Sequence, residues 1–205
     1  NTALCTWPHD HSHLYYTDGI SETCTRTDAS ILQARKDIDH QEKRNQIHFD
    51  EHQFIYRSSI CKLSEQIQNA ILVSPVPLPI RGRSGQLATS EIWRGLFLHD
   101  DRIFYTKMEE EQPSFSVDLV LDASASCMDY QETLAAQSYV IAQSLQKCRI
   151  PVQVTSFSSL RSYTVIHRFI RYNETDKNTN LFRYFAAGWN RDGLALRAIH
   201  QLMEE

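Results

Sequence analysis

The chain has 205 residues, a formal net charge of -4 and a pI near 6.1. Hydrophobic residues make up 41% and charged residues 22% of it, proportions that are ordinary for a globular domain and that exclude a disordered or fibrous class. A chain of this length can bury a core without disulfide support. The slightly acidic balance provides no basic field for phosphate backbones, so we do not expect a nucleic-acid partner.

The cysteines are odd in number and widely scattered, and none forms a Cys-x-x-Cys pair: they are Cys5, Cys24, Cys61, Cys127 and Cys148. This pattern signals neither a disulfide framework nor a zinc knuckle, and it favours reduced thiols in a cytoplasmic protein. No apolar run approaches the roughly 20 residues that cross a bilayer. The polar start at Asn1 contains no signal-peptide core. We therefore expect no membrane segment.

Residues 1–79 are predicted to form a helical N-terminal region with an irregular start. Residues 1–27 show no sustained period, and Asp28 can cap a charge-rich helix that we expect to be mostly solvated. A second, amphipathic helix follows from about Asp50, because apolar residues recur there at three- and four-residue steps. They are Ile60, Leu63, Ile67 and Ile71. Alternating prolines at Pro75, Pro77 and Pro79 predict the end of this helix and an extended connector.

Residues 80–115 are predicted to be a mixed, β-rich bridge. Glycines punctuate its start, a short helix is expected at 89–97, and residues 102–106 resemble a strand.

Residues 116–205 have the periods of an α/β domain. Residues 117–121 form a short apolar run without alternation, which predicts a central parallel strand, with residues 152–157 beside it. Strand, helix and strand follow one another as in a parallel crossover. We also expect a strand at 164–169 and helices at 178–187 and 194–205. The chain ends where a further strand is expected, so the predicted sheet is incomplete at its C-terminal side.

The segment Asp122-Ala123-Ser124-Ala125-Ser126 directly follows the first apolar strand of this domain. In open parallel sheets this edge is where ligands bind. One carboxylate and two hydroxyls at alternate positions offer oxygen ligands to a hard cation such as Mg²⁺, Mn²⁺ or Ca²⁺. The alternative is purely structural, because Asp and Ser after a strand also form turns and cap the next helix.

A resemblance to a known family rests on several short segments between residues 81 and 205. The segments are Arg83-Ser84-Gly85, Arg102-Ile103-Phe104, 121–126, Ser156-Phe157 and 190–196. Together they resemble the C-terminal region of the bacterial nitric oxide reductase activation proteins and, more distantly, the von Willebrand A subunit of cobalt chelatase. The motif at Asp122 and the segment Asp192-Gly193-Leu194-Ala195-Leu196 are its most specific parts.

The resemblance implies a Rossmann-like von Willebrand A domain with a metal-ion-dependent adhesion site. Its metal ligands would be Asp122, Ser124 and Ser126, joined by Asn190, which stands where the family has threonine, or by Asp192, which alternatively only caps the last helix. The family's Asp-Gly ligand has no counterpart before Glu205. The ion would be Mg²⁺, or else Mn²⁺ or Ca²⁺.

The resemblance also implies a function, which is a non-enzymatic interaction module. Its partners would be a MoxR-type AAA+ ATPase and a client metalloenzyme whose metal cofactor the pair assembles or remodels. Two alternatives stay open. One is a chelatase-like subunit that takes part in metal insertion, and the other is a degenerate von Willebrand A domain that has lost its ion.

Overall fold

The structure is a computed structural model that describes residues 4–5, 9, 11–19, 28–72, 80–106, 115–172 and 174–204. Its helices are α1 (Ala29–Glu51), α2 (Gln53–Leu72), α3 (Ile92–Leu98), α4 (Gln131–Lys147) and α5 (Asp192–Glu204). Its strands are β1 (His13–Thr17), β2 (Ile80–Gly82), β3 (Gln86–Leu87), β4 (Phe104–Thr106), β5 (Val117–Asp122), β6 (Val152–Leu160) and β7 (Tyr163–Ile170). Short 3₁₀ helices occupy Thr89–Glu91, Ala125–Tyr130 and Asn178–Arg183.

The chain divides into two compact units, one formed by Asn1–Ile67 with Ser116–Glu205 and the other by Gln68–Phe115. The first unit contains a four-stranded sheet in the order β1-β7-β6-β5. Strand β5 pairs parallel with β6, and β1 pairs parallel with β7, whereas β6 and β7 are antiparallel. This mostly parallel sheet with flanking helices confirms the predicted α/β class.

Strand β5 is parallel to β6 as predicted, but its expected central position is wrong. Within the described ranges it lies at the edge of the sheet, and each of its residues is only half-buried. Strand β6 is the buried one, although polar side chains at Gln153, Thr155 and Ser156 weaken its apolar pattern. The apolar run of β5 therefore overstates its burial.

The antiparallel pairing of β6 with β7 follows from the length of their connection. Only Arg161 and Ser162 lie between the two strands, and Arg161 adopts a positive φ of 54°. A parallel crossover needs a dozen or more residues, so a two-residue turn can join only antiparallel neighbours. The strand-helix-strand order predicted for β5, α4 and β6 has the parallel pairing expected of a crossover.

Residues 1–27 were predicted to be irregular, yet they contain β1. Leu14 of this strand is buried among Phe157, Ile166 and the inner face of α5. The strand was missed because it is short and pairs at the sheet edge with β7, far away in sequence. Alternating prolines 75, 77 and 79, and the connector predicted there, lie outside the described residues.

Helices α1 and α2 form where predicted, but α1 is less solvated than expected. Its polar residues Gln41 and Asn45 are buried together with Phe49, which packs in a tilted geometry against Phe182 and Tyr139. The charged composition of α1 therefore did not reveal its buried face, which consists mainly of amide side chains. Asp28 precedes α1 without making a side-chain capping hydrogen bond.

The predicted apolar face of α2 is not exposed. Ile60 is buried, and Leu63, Ile67 and Ile71 are half-buried. The carbonyl oxygen of Ile60 accepts a hydrogen bond from Ser144 Oγ on α4 at 3.4 Å. Docking of this face within the protein therefore agrees with the prediction.

Among the described helices, none combines the length and hydrophobicity needed to cross a bilayer.

The second unit contains a small antiparallel sheet in the order β2-β4-β3. The helix predicted at 89–97 is present as the 3₁₀ turn Thr89–Glu91 followed by α3, and β4 lies within the strand predicted at 102–106. The helix expected at 178–187 is shorter than predicted, because only Asn178–Arg183 are helical and residues 184–187 are non-helical. The helix predicted at 194–205 is α5.

Candidate metal site at the end of strand β5

The candidate site begins where β5 ends. Asp122 is the last residue of the strand, and Ala123 extends its path by donating its backbone N–H to the carbonyl oxygen of Phe157 at 2.9 Å. The chain then leaves the sheet and enters the 3₁₀ segment Ala125–Tyr130. This bend brings the alternate polar side chains of the motif onto the same side of the loop.

The structure brings together three of the five predicted ligands. Ser124 Oγ lies 3.0 Å from Asp122 Oδ2 and 2.8 Å from Ser126 Oγ. The other carboxylate oxygen, Asp122 Oδ1, accepts the backbone N–H of Ser124 at 2.8 Å. Ser124 is only 4% exposed, whereas Asp122 is half-buried and Ser126 is exposed. The oxygens therefore run from a buried hydroxyl to an accessible one.

The non-helical segment 184–188 holds this loop from the side. Tyr184 donates its hydroxyl hydrogen to the carbonyl oxygen of Asp122. Ala187 N–H donates to Ala123 O at 2.8 Å, and Ala125 N–H donates to Gly188 O at 2.9 Å. Both sides of the motif are thus fixed by backbone contacts, which explains why the helix predicted through residue 187 stops early.

Two buried amide side chains hold the segment in turn. Gln131 Oε1, at the start of α4, accepts the N–H of Ala186 at 2.7 Å. Asn45 Nδ2 of α1 donates to the carbonyl oxygens of Phe182 at 2.7 Å and Tyr184 at 3.0 Å. Buried backbone acceptors need such partners, and Asn45 is completely buried. Helix α1 is therefore part of the structure that positions the site.

Gly188 is required by its surroundings. Its φ is +80°, and a Cβ atom at this position would lie 2.4 Å from the carbonyl oxygen of Ser159. The next residue, Trp189, exchanges two backbone hydrogen bonds with Ser159, at 2.6 and 2.7 Å. Only glycine allows the backbone to approach β6 so closely here.

The two remaining predicted ligands, Asn190 and Asp192, are not hydrogen-bonded to the Asp122 loop in the described structure. Asn190 is exposed in the short link after Trp189, and Asp192 is the exposed first residue of α5. Within the described part of the chain, neither forms a hydrogen bond with Asp122, Ser124 or Ser126. Asp192 lies in the first turn of a helix, where an acidic side chain interacts favourably with the helix dipole.

Sequence reasoning missed the residues that support the loop. Tyr184, Gln131 and Asn45 are far from the motif in sequence, and no spacing connects them to it. Gly188 carried the one usable signal, because a glycine between apolar residues before a helix indicates a special backbone conformation.

The surroundings of the site combine a buried phenol with an adjacent thiol. Burial raises the pKa of Tyr184 well above its usual value, and Cys127 and Asp122 raise it further. Tyr184 therefore stays protonated and can act as a permanent hydrogen-bond donor. Within the described ranges, no group of three or more His, Cys, Asp or Glu side chains is arranged to hold a metal ion. A site at Asp122 consequently depends on hydroxyl ligands.

Comparison with known proteins finds no match: no family model, no curated protein and no solved structure is significantly similar to the chain.

Proposed function

We propose that the chain is a metal-dependent protein-interaction module of the von Willebrand A type. The observation that carries this proposal is the convergence of Asp122 Oδ2, Ser124 Oγ and Ser126 Oγ, with neighbouring oxygens 2.8–3.0 Å apart. They lie at the carboxyl end of a parallel strand, where α/β sheets bind ligands. The resemblance of residues 81–205 to the von Willebrand A family supports the same function.

The spacing of these oxygens suits a small hard cation. Ligands at about 2.0–2.1 Å in an octahedral shell around Mg²⁺ have neighbours about 2.9 Å apart, whereas the longer bonds of Ca²⁺ at about 2.3–2.6 Å require wider spacing. The two separations, 3.0 and 2.8 Å, are hydrogen-bond distances that are also compatible with the smaller ion. Mg²⁺, or Mn²⁺ in its place, is therefore the favoured occupant.

The accessibility of the site favours binding of an outside ligand. When bound, the ion would supply a Lewis-acidic centre that accepts one further oxygen ligand. Ser126 is exposed, so a partner can reach this side of the loop. Because Asp122 is the only carboxylate of the motif, an ion held here keeps a positive charge that attracts an acidic residue of the partner. By resemblance, this partner is a MoxR-type AAA+ ATPase in the cytoplasm, and the client is a metalloenzyme.

A second candidate is a degenerate domain that binds partners without an ion. It is favoured by the contact of Asp122 Oδ1 with the N–H of Ser124 at 2.8 Å, which is the hydrogen bond of an ordinary Asx turn. In that case Ser124 and Ser126 would only complete a local hydrogen-bond chain. The chelatase-subunit function stays a prediction from the resemblance alone.

Partner capture tests the proposal. The tagged chain is incubated with a MoxR-type ATPase from the same genome, in Mg²⁺ and in EDTA. We expect capture only in Mg²⁺, and loss of capture in Asp122→Ala. The matched control is Asp129→Ala, since Asp129 is an exposed carboxylate of the adjoining 3₁₀ segment. Capture that resists both EDTA and Asp122→Ala supports the degenerate domain and contradicts the metal-dependent module.

A further inference from the structure

A cavity lies between α1 and the sheet of the first unit, and Ala123 of the Asp122 loop is one of its lining residues. Its volume is about 480 Å³, within the range of small-molecule sites. The lining side chains come from the sheet, from α1, from the end of the 3₁₀ helix Asn178–Arg183 and from the segment after it; they include Ser156, Ser158, His167, Arg35, Arg183 and Phe185. Of the metal motif only Ala123 lines this cavity, and the three oxygen-bearing residues Asp122, Ser124 and Ser126 do not.

The floor of the cavity is polar, because Ser156, Ser158 and His167 line it. His167 of β7 stands opposite Ser156 of β6 in the strand register, and Ser158 lies two residues further along β6. Ser156 is only 4% exposed, yet its hydroxyl has no hydrogen-bond partner among the described residues. Because Ser156 lines the cavity, its hydroxyl can donate a hydrogen bond to a molecule bound there.

Two arginines in the cavity lining add strong donors. Arg183 donates its Nε–H to Glu42 Oε1 at 3.2 Å, while its terminal nitrogens have no partner within the described ranges. Arg35 lies on α1, about two turns before Glu42, and forms no ion pair with a described residue. Guanidinium groups with free nitrogens recognise carboxylate and phosphate oxygens in a bidentate manner.

The acidic lining residues do not cancel these donors. Glu42 is engaged by Arg183, and Asp39 is exposed to solvent, where water screens its charge. Burial and the nearby Arg183 lower the pKa of His167 to about 4, although Asp18 opposes this shift. The imidazole is therefore neutral at physiological pH and offers a polar contact without adding a charge.

We propose that this cavity binds a small organic anion, with its carboxylate or phosphate group held by Arg35 and Arg183 and an oxygen satisfied by the Ser156 hydroxyl. The apolar side chains Ile38, Val165 and Phe185 provide the remaining wall for the carbon skeleton. The site does not depend on a metal ion at Asp122.

Titration of the ¹⁵N-labelled chain with malonate and, separately, with inorganic phosphate tests the proposal by NMR. We expect saturable shifts of the amide signals of Ser156, Ser158 and His167 with at least one probe, and the better probe identifies the preferred head group. Arg35→Gln and Arg183→Gln should each weaken binding at least tenfold. Neither change should unfold the protein, because exposed arginine ion pairs contribute little to stability.

Two further variants make the result decisive. Ser156→Ala removes the unpartnered hydroxyl without adding volume and should weaken binding several-fold. Arg57→Gln is the control, since Arg57 is exposed on α2 and does not line the cavity. The proposal is wrong if neither probe gives saturable shifts at these amides, if Arg35→Gln and Arg183→Gln bind like the unaltered chain, or if Arg57→Gln weakens binding equally.

Discussion

Tyr184 donates its hydroxyl hydrogen to the backbone carbonyl oxygen of Asp122, the last residue of β5. The phenol is completely buried, and the two residues are 62 positions apart in sequence. This contact joins the segment after the second 3₁₀ turn of the first unit to the residue that contributes the only carboxylate of the motif at 122–126. Because the carbonyl and carboxylate belong to one residue, the contact also restrains the side chain's starting position.

Tyr184→Phe is expected to lower the free energy of unfolding by about 1–2 kcal/mol, because a buried carbonyl loses its donor while the ring still fills its space. Urea unfolding measures this change. If Mg²⁺ binds at Asp122, its affinity should also fall several-fold. The control is Tyr15→Phe, since Tyr15 is 56% exposed and its hydroxyl makes no hydrogen bond in the described structure. Equal stability of the two variants would show that the Tyr184 contact does not restrain the loop.

Gly188→Ala is expected to destabilise the protein by more than about 2 kcal/mol, because an alanine there combines an unfavourable positive φ with a steric collision. The collision is with Ser159 O, which lies 2.4 Å from the position of the added Cβ. Gly193→Ala is the matched control, since Gly193 lies in α5 and an added Cβ would meet only His9 Nε2 at 3.9 Å, an ordinary van der Waals distance. That change should be neutral or stabilise the helix by up to about 1 kcal/mol. Thermal unfolding of both variants checks the difference.

His167 is expected to make the protein less stable in mild acid. Burial and the nearby Arg183 lower its pKa from 6.5 to about 4 in the folded state, against the opposing effect of Asp18. At a pH between these two pKa values, His167 binds a proton in the unfolded chain but not in the folded chain. Stability therefore falls as the pH decreases from about 6.5 to about 4, by at most about 3 kcal/mol, and this contribution levels off below.

Urea unfolding between pH 7 and pH 4 tests the role of His167 when it is repeated on His167→Gln. Protonation of Asp18 and Glu132 also lowers the stability of the fold in acid. Burial raises the pKa values of these two carboxyl groups, but hydrogen bonds and nearby arginines lower them by more. These carboxyl groups remain in the variant, so the difference between the two curves isolates the histidine. A slope that is the same with and without His167 would contradict the prediction.

Much of the fold could be predicted from local patterns. The period of α2 and the order of β5, α4 and β6 are local features, and each is present as expected. What could not be predicted depends on contacts between distant residues. Strand β1, which contains the buried Leu14, pairs with β7, and this pairing between distant segments has no local signal. Asn45 looks like a solvated residue in the sequence, because its two carbonyl partners are also far away along the chain.

The candidate site shows the same division. Asp122, Ser124 and Ser126 are close in sequence, so a single bend after a strand is enough to predict that they converge. Asn190 and Asp192 were assigned by resemblance, and their place depends on how the link after Trp189 runs towards α5. The support from Tyr184, Gln131 and Asn45 is set by tertiary packing, which no sequence spacing encodes.

Isothermal titration calorimetry with MgCl₂ tests whether Asp122, Ser124 and Ser126 bind a metal ion. We expect saturable binding of one ion to the chain, its loss in Asp122→Ala, weaker binding in Ser124→Ala, and unchanged binding in Asp129→Ala. Asp122 should matter most because it holds the only formal charge of the motif, whereas water can partly replace a serine hydroxyl. If neither Mg²⁺ nor Mn²⁺ binds, or if Asp122→Ala binds as tightly as the unaltered chain, the metal-dependent module is contradicted.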